Sequence, residues 1–166
     1  MSGMRSSVFS GIEQHAGLRL LTEHWTVMRE EYQAIAADAA PWHEQGLHNG
    51  KWSTYGLFFA GKPTSGAPRC PQTAAVLGRV PGLFMAGFSV LAAGCVIKPH
   101  KGYTDEVLRA HLGLVCPPEA WLKVDTEVHH WREGELVVFD DTRMHSAANP
   151  SSHDRVVLLL DFFRPS

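Results

Sequence analysis

From Trp52 to Phe163 the chain is a succession of short apolar runs broken by glycine, proline or charge. Tyr55 to Phe59 precedes Gly61-Lys62-Pro63 and Phe84 to Val96 precedes Lys98-Pro99. Further runs cover Arg109 to Val115, Trp121 to Val124, Val128 to Trp131, Glu135 to Phe139 and Val156 to Phe163. Runs of that length between turn formers predict strands, and many of them in series predict a sandwich or a barrel. Val156-Val157-Leu158-Leu159-Leu160 is apolar at every position, the pattern of a strand covered on both faces and therefore central. Ahead of this region Leu18, Leu21, Trp25, Met28, Tyr32 and Ile35 recur at steps of three and four, which predicts a helix ending before Pro41. Its apolar stripe is expected to pack against the rest of the domain. The expected layout is a helical front over 18–40 and a β core over about 52–165, with helices only at the front.

A length of 166 residues with 45% hydrophobic content fits one domain over 1–166. Fifteen basic residues against 17 acidic ones give a formal charge of -2 without a Lys/Arg-rich run, so nucleic acid is not an expected partner. Cys70, Cys95 and Cys116 are odd in number and far apart, which predicts neither a disulfide framework nor a zinc clip and points to a reducing compartment. No stretch reaches the roughly 18 uncharged apolar residues that a membrane span needs. The expectation is a cytoplasmic protein with no membrane partner.

Two segments concentrate polar residues where a β core should be apolar: Pro99-His100-Lys101-Gly102 and Phe139-Asp140-Asp141-Thr142-Arg143-Met144-His145. Histidines at the ends of different strands can converge inside a jelly roll, although two imidazoles alone do not choose among iron, zinc, copper and nickel. His15, His24, His43, His48, His129, His130 and His153 are read as surface or hydrogen-bonded residues. Strand alternation puts Arg109, His111 and Gly113 on one face, with Leu112 and Leu114 on the other. Arg155 opens the apolar strand, and a buried guanidinium there must find an anion. An ion pair with Asp140, Asp141 or Asp161 and a bound ligand both remain open at this point.

In order, the chain carries Phe88-Ser89-Val90-Leu91, His100-Lys101-Gly102, Arg109-Ala110-His111-Leu112-Gly113-Leu114, Glu133-Gly134, Phe139-Asp140-Asp141-Thr142, His145, Arg155, Asp161 and Arg164-Pro165. Co-linear from about Trp25 to Pro165, this series resembles the catalytic domain of aspartyl/asparaginyl β-hydroxylases. The resemblance implies a double-stranded β-helix, a cupin-like jelly roll, holding Fe(II) through His100 and His145. It implies that Arg155 and Ser89 grip the distal carboxylate of 2-oxoglutarate. His111 and Arg109 would face its metal-chelating end or the substrate carboxylate, and Trp52 would line the substrate side.

The implied reaction uses dioxygen and couples decarboxylation of 2-oxoglutarate to succinate with hydroxylation of an unactivated C–H. The expected substrate is an amino acid, a peptide or a carrier-bound aminoacyl group, the β-carbon of Asp or Asn being one target. Gly102 stands in the slot where related iron sites carry a carboxylate, so the third facial position falls to water. Asp105, in the loop after Gly102, is the alternative protein ligand. Asp140 and Asp141 are expected to support His145 or to cap the turn. A vacant third position also admits a halogenase that binds chloride there, and a non-enzymatic cupin-like module that binds a metal or an anion is the reading outside catalysis. A zinc hydrolase would need a further ligand and an HExxH or equivalent, which the chain lacks.

Overall fold

Alternation along the last strand, β11 (Arg155–Phe163), divides the interior in two. Val156, Leu158, Leu160 and Phe162 point into one apolar cluster shared with the helices. Val157 and Leu159 point into a second cluster, and Arg155 and Asp161 share their parity. The computed structural model, which describes residues 7–165, closes two sheets around that second cluster.

The larger sheet joins β1 (Ala40–Pro41), β2 (Trp52–Phe59), β4 (Leu83–Leu91), β11, β6 (Val107–Val115) and β9 (Leu136–Phe139) in that order, with β3 (Lys62–Pro63) on β2. The smaller joins β5 (Cys95–His100), β10 (His145–Asn149), β7 (Trp121–Val124) and β8 (Glu127–His129). Every pairing between these strands is antiparallel. This is the jelly roll that the resemblance implies, and β11 is central, between β4 and β6. The parity also holds on β6, where Ala110, Leu112 and Leu114 enter the helix-side cluster and leave Arg109 and His111 facing the space between the sheets.

The helical front runs as α1 (Arg19–Glu23) and α2 (Trp25–Ile35) between short 3-10 turns at Ala16–Leu18 and Ala36–Asp38. Its stripe packs where expected, with Leu18, Leu21, Met28, Tyr32 and Ile35 buried against the outer face of the larger sheet. The expected single helix is broken at His24, whose backbone (φ -118°, ψ 15°) leaves the helical region without changing the phase of the stripe. The expectation that helices occur only at the front is corrected by α3 (Pro71–Leu77). Its cap comes from a distant element. The Glu31 carboxylate of α2 accepts from Gln72 N (3.0 Å), Thr73 N (2.7 Å) and Thr73 Oγ1 (2.7 Å), satisfying donors that a helix start leaves open. Among the described residues no helix is long and apolar enough to cross a membrane.

Candidate active site

His100 ends β5, His145 opens β10, and the two are direct partners in the antiparallel register. Opposite residues of such a pair present their side chains on one face about 5 Å apart. The ring centroids accordingly lie 4.2 Å apart. Each ring bonds through Nδ1 to the carbonyl two residues earlier, Lys98 O for His100 and Arg143 O for His145, both at 2.8 Å. A carbonyl only accepts, so Nδ1 carries the proton in each neutral ring and Nε2 keeps its lone pair. Burial is the main cause that pushes His145 down to about 4, which leaves it in the neutral form that binds metal.

The slot beside this pair is filled from elsewhere in the chain. A Cβ placed on Gly102 would meet Asp141 Oδ2 at 2.5 Å and Cγ at 2.6 Å, and Gly102 N donates to Asp141 O at 2.7 Å. Asp105, the alternative ligand, is exposed and outside the cavity walls, its backbone carbonyl accepting from Arg164. Among the described residues no group of three or more His, Cys, Asp or Glu is arranged to hold a metal ion. Asp140 caps its turn by accepting from Thr142 N (3.0 Å) and Thr142 Oγ1 (2.6 Å), and neither it nor Asp141 bonds the ring of His145.

Arg155 is 2% exposed and has no carboxylate partner among the described residues. The three aspartates that could have paired with it are engaged elsewhere, Asp161 and Asp141 with Arg109 and Asp140 with Arg164. Its Nη2 donates to Ser89 Oγ (3.1 Å) and Ser89 O (3.3 Å), its Cζ lies 4.3 Å above the Trp131 ring, and its Nε has no partner among the described residues. Burial lowers its pKa to about 9. A lone buried cation costs several kcal/mol, and a desolvated cation–π contact returns only about 2 kcal/mol of that. The balance favours capture of an anion.

The neighbours of Arg155 have the same polarity. Ser89 Oγ accepts from Arg155 Nη2 and from Trp52 Nε1 (3.0 Å), so its own hydroxyl proton is left to donate. His111 Nδ1 accepts from Trp131 Nε1 at 3.1 Å, which leaves Nε2–H as a donor in the neutral ring. Burial first, and the Arg155 charge second, hold His111 well below its usual 6.5. Arg155, Ser89 and His111 thus line one cavity of about 30 Å³ with donors, and His100 and His145 share its wall.

Arg109 differs from its expected role. Its Nε and Nη2 donate to Asp161 at 2.8 and 3.0 Å, and Nη2 lies 3.6 Å from Asp141. Burial opposes its charge, but the two aspartates outweigh burial and raise its pKa. The guanidinium is committed to protein carboxylates while Arg109 still lines both the inner cavity and an outer cleft of about 220 Å³. Trp52 also borders both spaces; it is buried and stacks on Trp42 with centroids 4.5 Å apart. At the cleft mouth Tyr103 OH donates to Glu44 Oε2 at 2.9 Å, tying two loops together.

Sequence reasoning passed over Trp131, which roofs Arg155 and orients His111. The signal was there: a tryptophan ending a strand run is large enough to be buried, and a buried indole N–H needs an acceptor. Two Nε2 lone pairs suit a borderline divalent cation and a cluster of donors suits a carboxylate, so the side chains present fit a metal with a dicarboxylate beside it.

The model of the family described as aspartyl/asparaginyl beta-hydroxylase matches residues 22–165. The ornithine lipid ester-linked acyl 2-hydroxylase of Rhizobium tropici is 39% identical over 119 residues, covering 69% of this chain and 42% of that protein. Aspartate beta-hydroxylase domain-containing protein 2 of Xenopus tropicalis is 30% identical over 169 residues, covering 92% and 46%. The chain therefore spans less than half the length of these relatives. A prolyl-4-hydroxylase from Pseudomonas putida shares the fold, with a TM-score of 0.60 over 87% of this chain and 88% of that one at 16% identity. With the family model running through both histidines, Ser89, His111 and Arg155, the chain belongs to the aspartyl/asparaginyl β-hydroxylase family.

Proposed function

We propose that the chain is an Fe(II)- and 2-oxoglutarate-dependent oxygenase that hydroxylates an unactivated C–H of an amino-acid, peptide or carrier-bound aminoacyl substrate. The observation that carries this reading is the cluster of donors: Arg155, Ser89 and His111 around one small space that His100 and His145 also line. His100 and His145 would hold the iron through Nε2. Arg155 and the Ser89 hydroxyl would take the distal carboxylate of 2-oxoglutarate, with the His111 Nε2–H as a further donor. Bound there, the iron and its cosubstrate supply the oxidising power for C–H hydroxylation while 2-oxoglutarate is decarboxylated to succinate. The protein's own part is placement and exclusion of water, with Trp52 and Trp131 walling the charged groups off from solvent.

A site with two neutral imidazoles binds a dication less tightly than one with an anionic ligand, so the cosubstrate carboxylates supply charge that the donor set lacks. Metal and 2-oxoglutarate should therefore bind cooperatively. The Asp141 carboxylate against Gly102 disfavours a second anion such as chloride in that space, which sets hydroxylation ahead of halogenation. Incubation with Fe(II), ascorbate and a panel of amino acids and peptides should convert 2-oxoglutarate to succinate, with product masses independent of chloride. No succinate under any condition would favour a metal- or anion-binding module instead.

A further inference from the structure

Trp131 enters the space between the sheets from the connection between β8 and β9, and two glycines fix that connection in place. A Cβ on Gly113 would collide with Arg132 O and lie 2.7 Å from Cys116 Sγ, so only a bare Cα lets the connection rest against β6. Gly134 N donates to Gly113 O (2.9 Å) and Gly113 N to Glu135 O (3.1 Å), tying the two segments together. Gly134, at φ +79°, passes close to α2, where a Cβ would lie 2.9 Å from Trp25 Nε1. Held between β6 and α2, the buried Trp131 indole donates Nε1–H to His111 Nδ1 at 3.1 Å and lays its ring face on Arg155, with Cζ 4.3 Å from the centroid.

His111 and Arg155 line the same space of about 30 Å³, room for about two water molecules, yet among the described residues no hydrogen bond joins the two. The position of the His111 proton decides this. With the proton on Nε2, imidazole and guanidinium both present donors to the cavity and neither can satisfy the other. With the proton on Nδ1, Nε2 would offer its lone pair to a buried cation that lacks an anion, and a charge-assisted bond is stronger than a neutral one. Left to the Arg155 charge alone, the ring would take that second form. The Trp131 N–H forbids it, because a protonated Nδ1 would set two buried donors against each other. We propose that Trp131 is a positioning residue that keeps His111 and Arg155 from pairing with each other, so that both stay available to a carboxylate ligand. The proposal rests on the reading of this cavity given above and adds the residue that holds it open. Arg109 shows the alternative, since its guanidinium is already taken by Asp161. An aromatic face steadies Arg155 without using up its N–H groups.

Long-range proton–nitrogen correlation spectra of the isotope-labelled, metal-free protein show which ring nitrogen carries the proton, with the His111 signals identified by their loss in His111→Leu. The wild type should hold the proton on Nε2. Trp131→Phe, which keeps an aromatic face and removes the N–H, should move it to Nδ1. The same variant, loaded with Mn(II), should bind 2-oxoglutarate about tenfold more weakly, the worth of one hydrogen bond to a charged group. In a His111→Leu background Trp131→Phe should make no further difference to 2-oxoglutarate, whereas a loss of packing alone would weaken binding in both backgrounds alike. A proton on Nδ1 in the wild type, an unmoved proton in Trp131→Phe, or an equal loss in both backgrounds overturns the proposal. A wild-type protein that bound no 2-oxoglutarate would sink the iron reading, and the proton position would still decide the role of Trp131.

Discussion

The carboxylate of Asp141 occupies the space that a side chain on Gly102 would enter, with Oδ2 2.5 Å and Oδ1 2.7 Å from the position of a Cβ there. A side chain at position 102 is thus excluded by packing. Gly102→Asp, which would rebuild the usual pattern of two histidines and a carboxylate, should fail. Overpacking costs about 1–3 kcal/mol, and a second carboxylate against Asp141 adds like-charge repulsion. Thermal denaturation should show a lower Tm and Mn(II) titration no gain in affinity. The double substitution Gly102→Asp with Asp141→Gly should recover stability and bind Mn(II) more tightly than the wild type. A single Gly102→Asp variant with unchanged Tm and tighter metal binding would contradict this placement.

Arg155 should be costly to the empty protein and necessary to the loaded one. Replacing a poorly compensated buried charge by an apolar chain of similar volume is stabilising by about 1–4 kcal/mol in comparable cases, so Arg155→Met should raise the ligand-free Tm. The same variant should lose the further rise that 2-oxoglutarate confers on the wild type. Arg155→Leu should weaken 2-oxoglutarate binding by about 2–5 kcal/mol, the cost of removing one partner of a buried charge pair. An unchanged dissociation constant removes Arg155 from the site.

His111 supplies a pH signature. Its folded pKa lies well below the usual 6.5, chiefly through burial. Below 6.5 the unfolded chain therefore binds a proton that the folded one does not, and stability falls as the pH drops from about 6.5 toward the folded value. One such group contributes a slope of up to about 1.4 kcal/mol per pH unit. His111→Gln retains an acceptor for Trp131 Nε1 and should reduce the acid slope by that amount in denaturant titrations between neutral and mildly acidic pH. An identical slope in wild type and variant would mean that His111 is not held neutral by the fold.

The β texture, the central place of β11 and the helical stripe were legible because each depends on local periodicity, at steps of two or of three and four. His100 and His145 were legible as a pair only through the order of motifs around them, since nothing local says that the end of β5 lies opposite the start of β10. What stayed hidden depends on distant partners. α3 takes its cap from Glu31, Arg109 finds Asp161 across the β6–β11 register, and Asp141 reaches Gly102 between two loops. Arg155 shows the boundary well: its burial was inferable from the apolar strand it opens, but the absence of a carboxylate partner was a matter of three-dimensional competition that Arg109 and Arg164 had won.

The central claim is that one divalent ion and one dicarboxylate share the cavity of His100, His145 and Arg155. Crystals soaked with Mn(II) and 2-oxoglutarate test it through the anomalous signal of the metal. The account predicts a single peak at the length of a metal–imidazole bond, about 2 Å, from Nε2 of both histidines, with the distal carboxylate of 2-oxoglutarate on Arg155 and Ser89. A peak on only one of the rings, or a dicarboxylate bound away from Arg155, would contradict it.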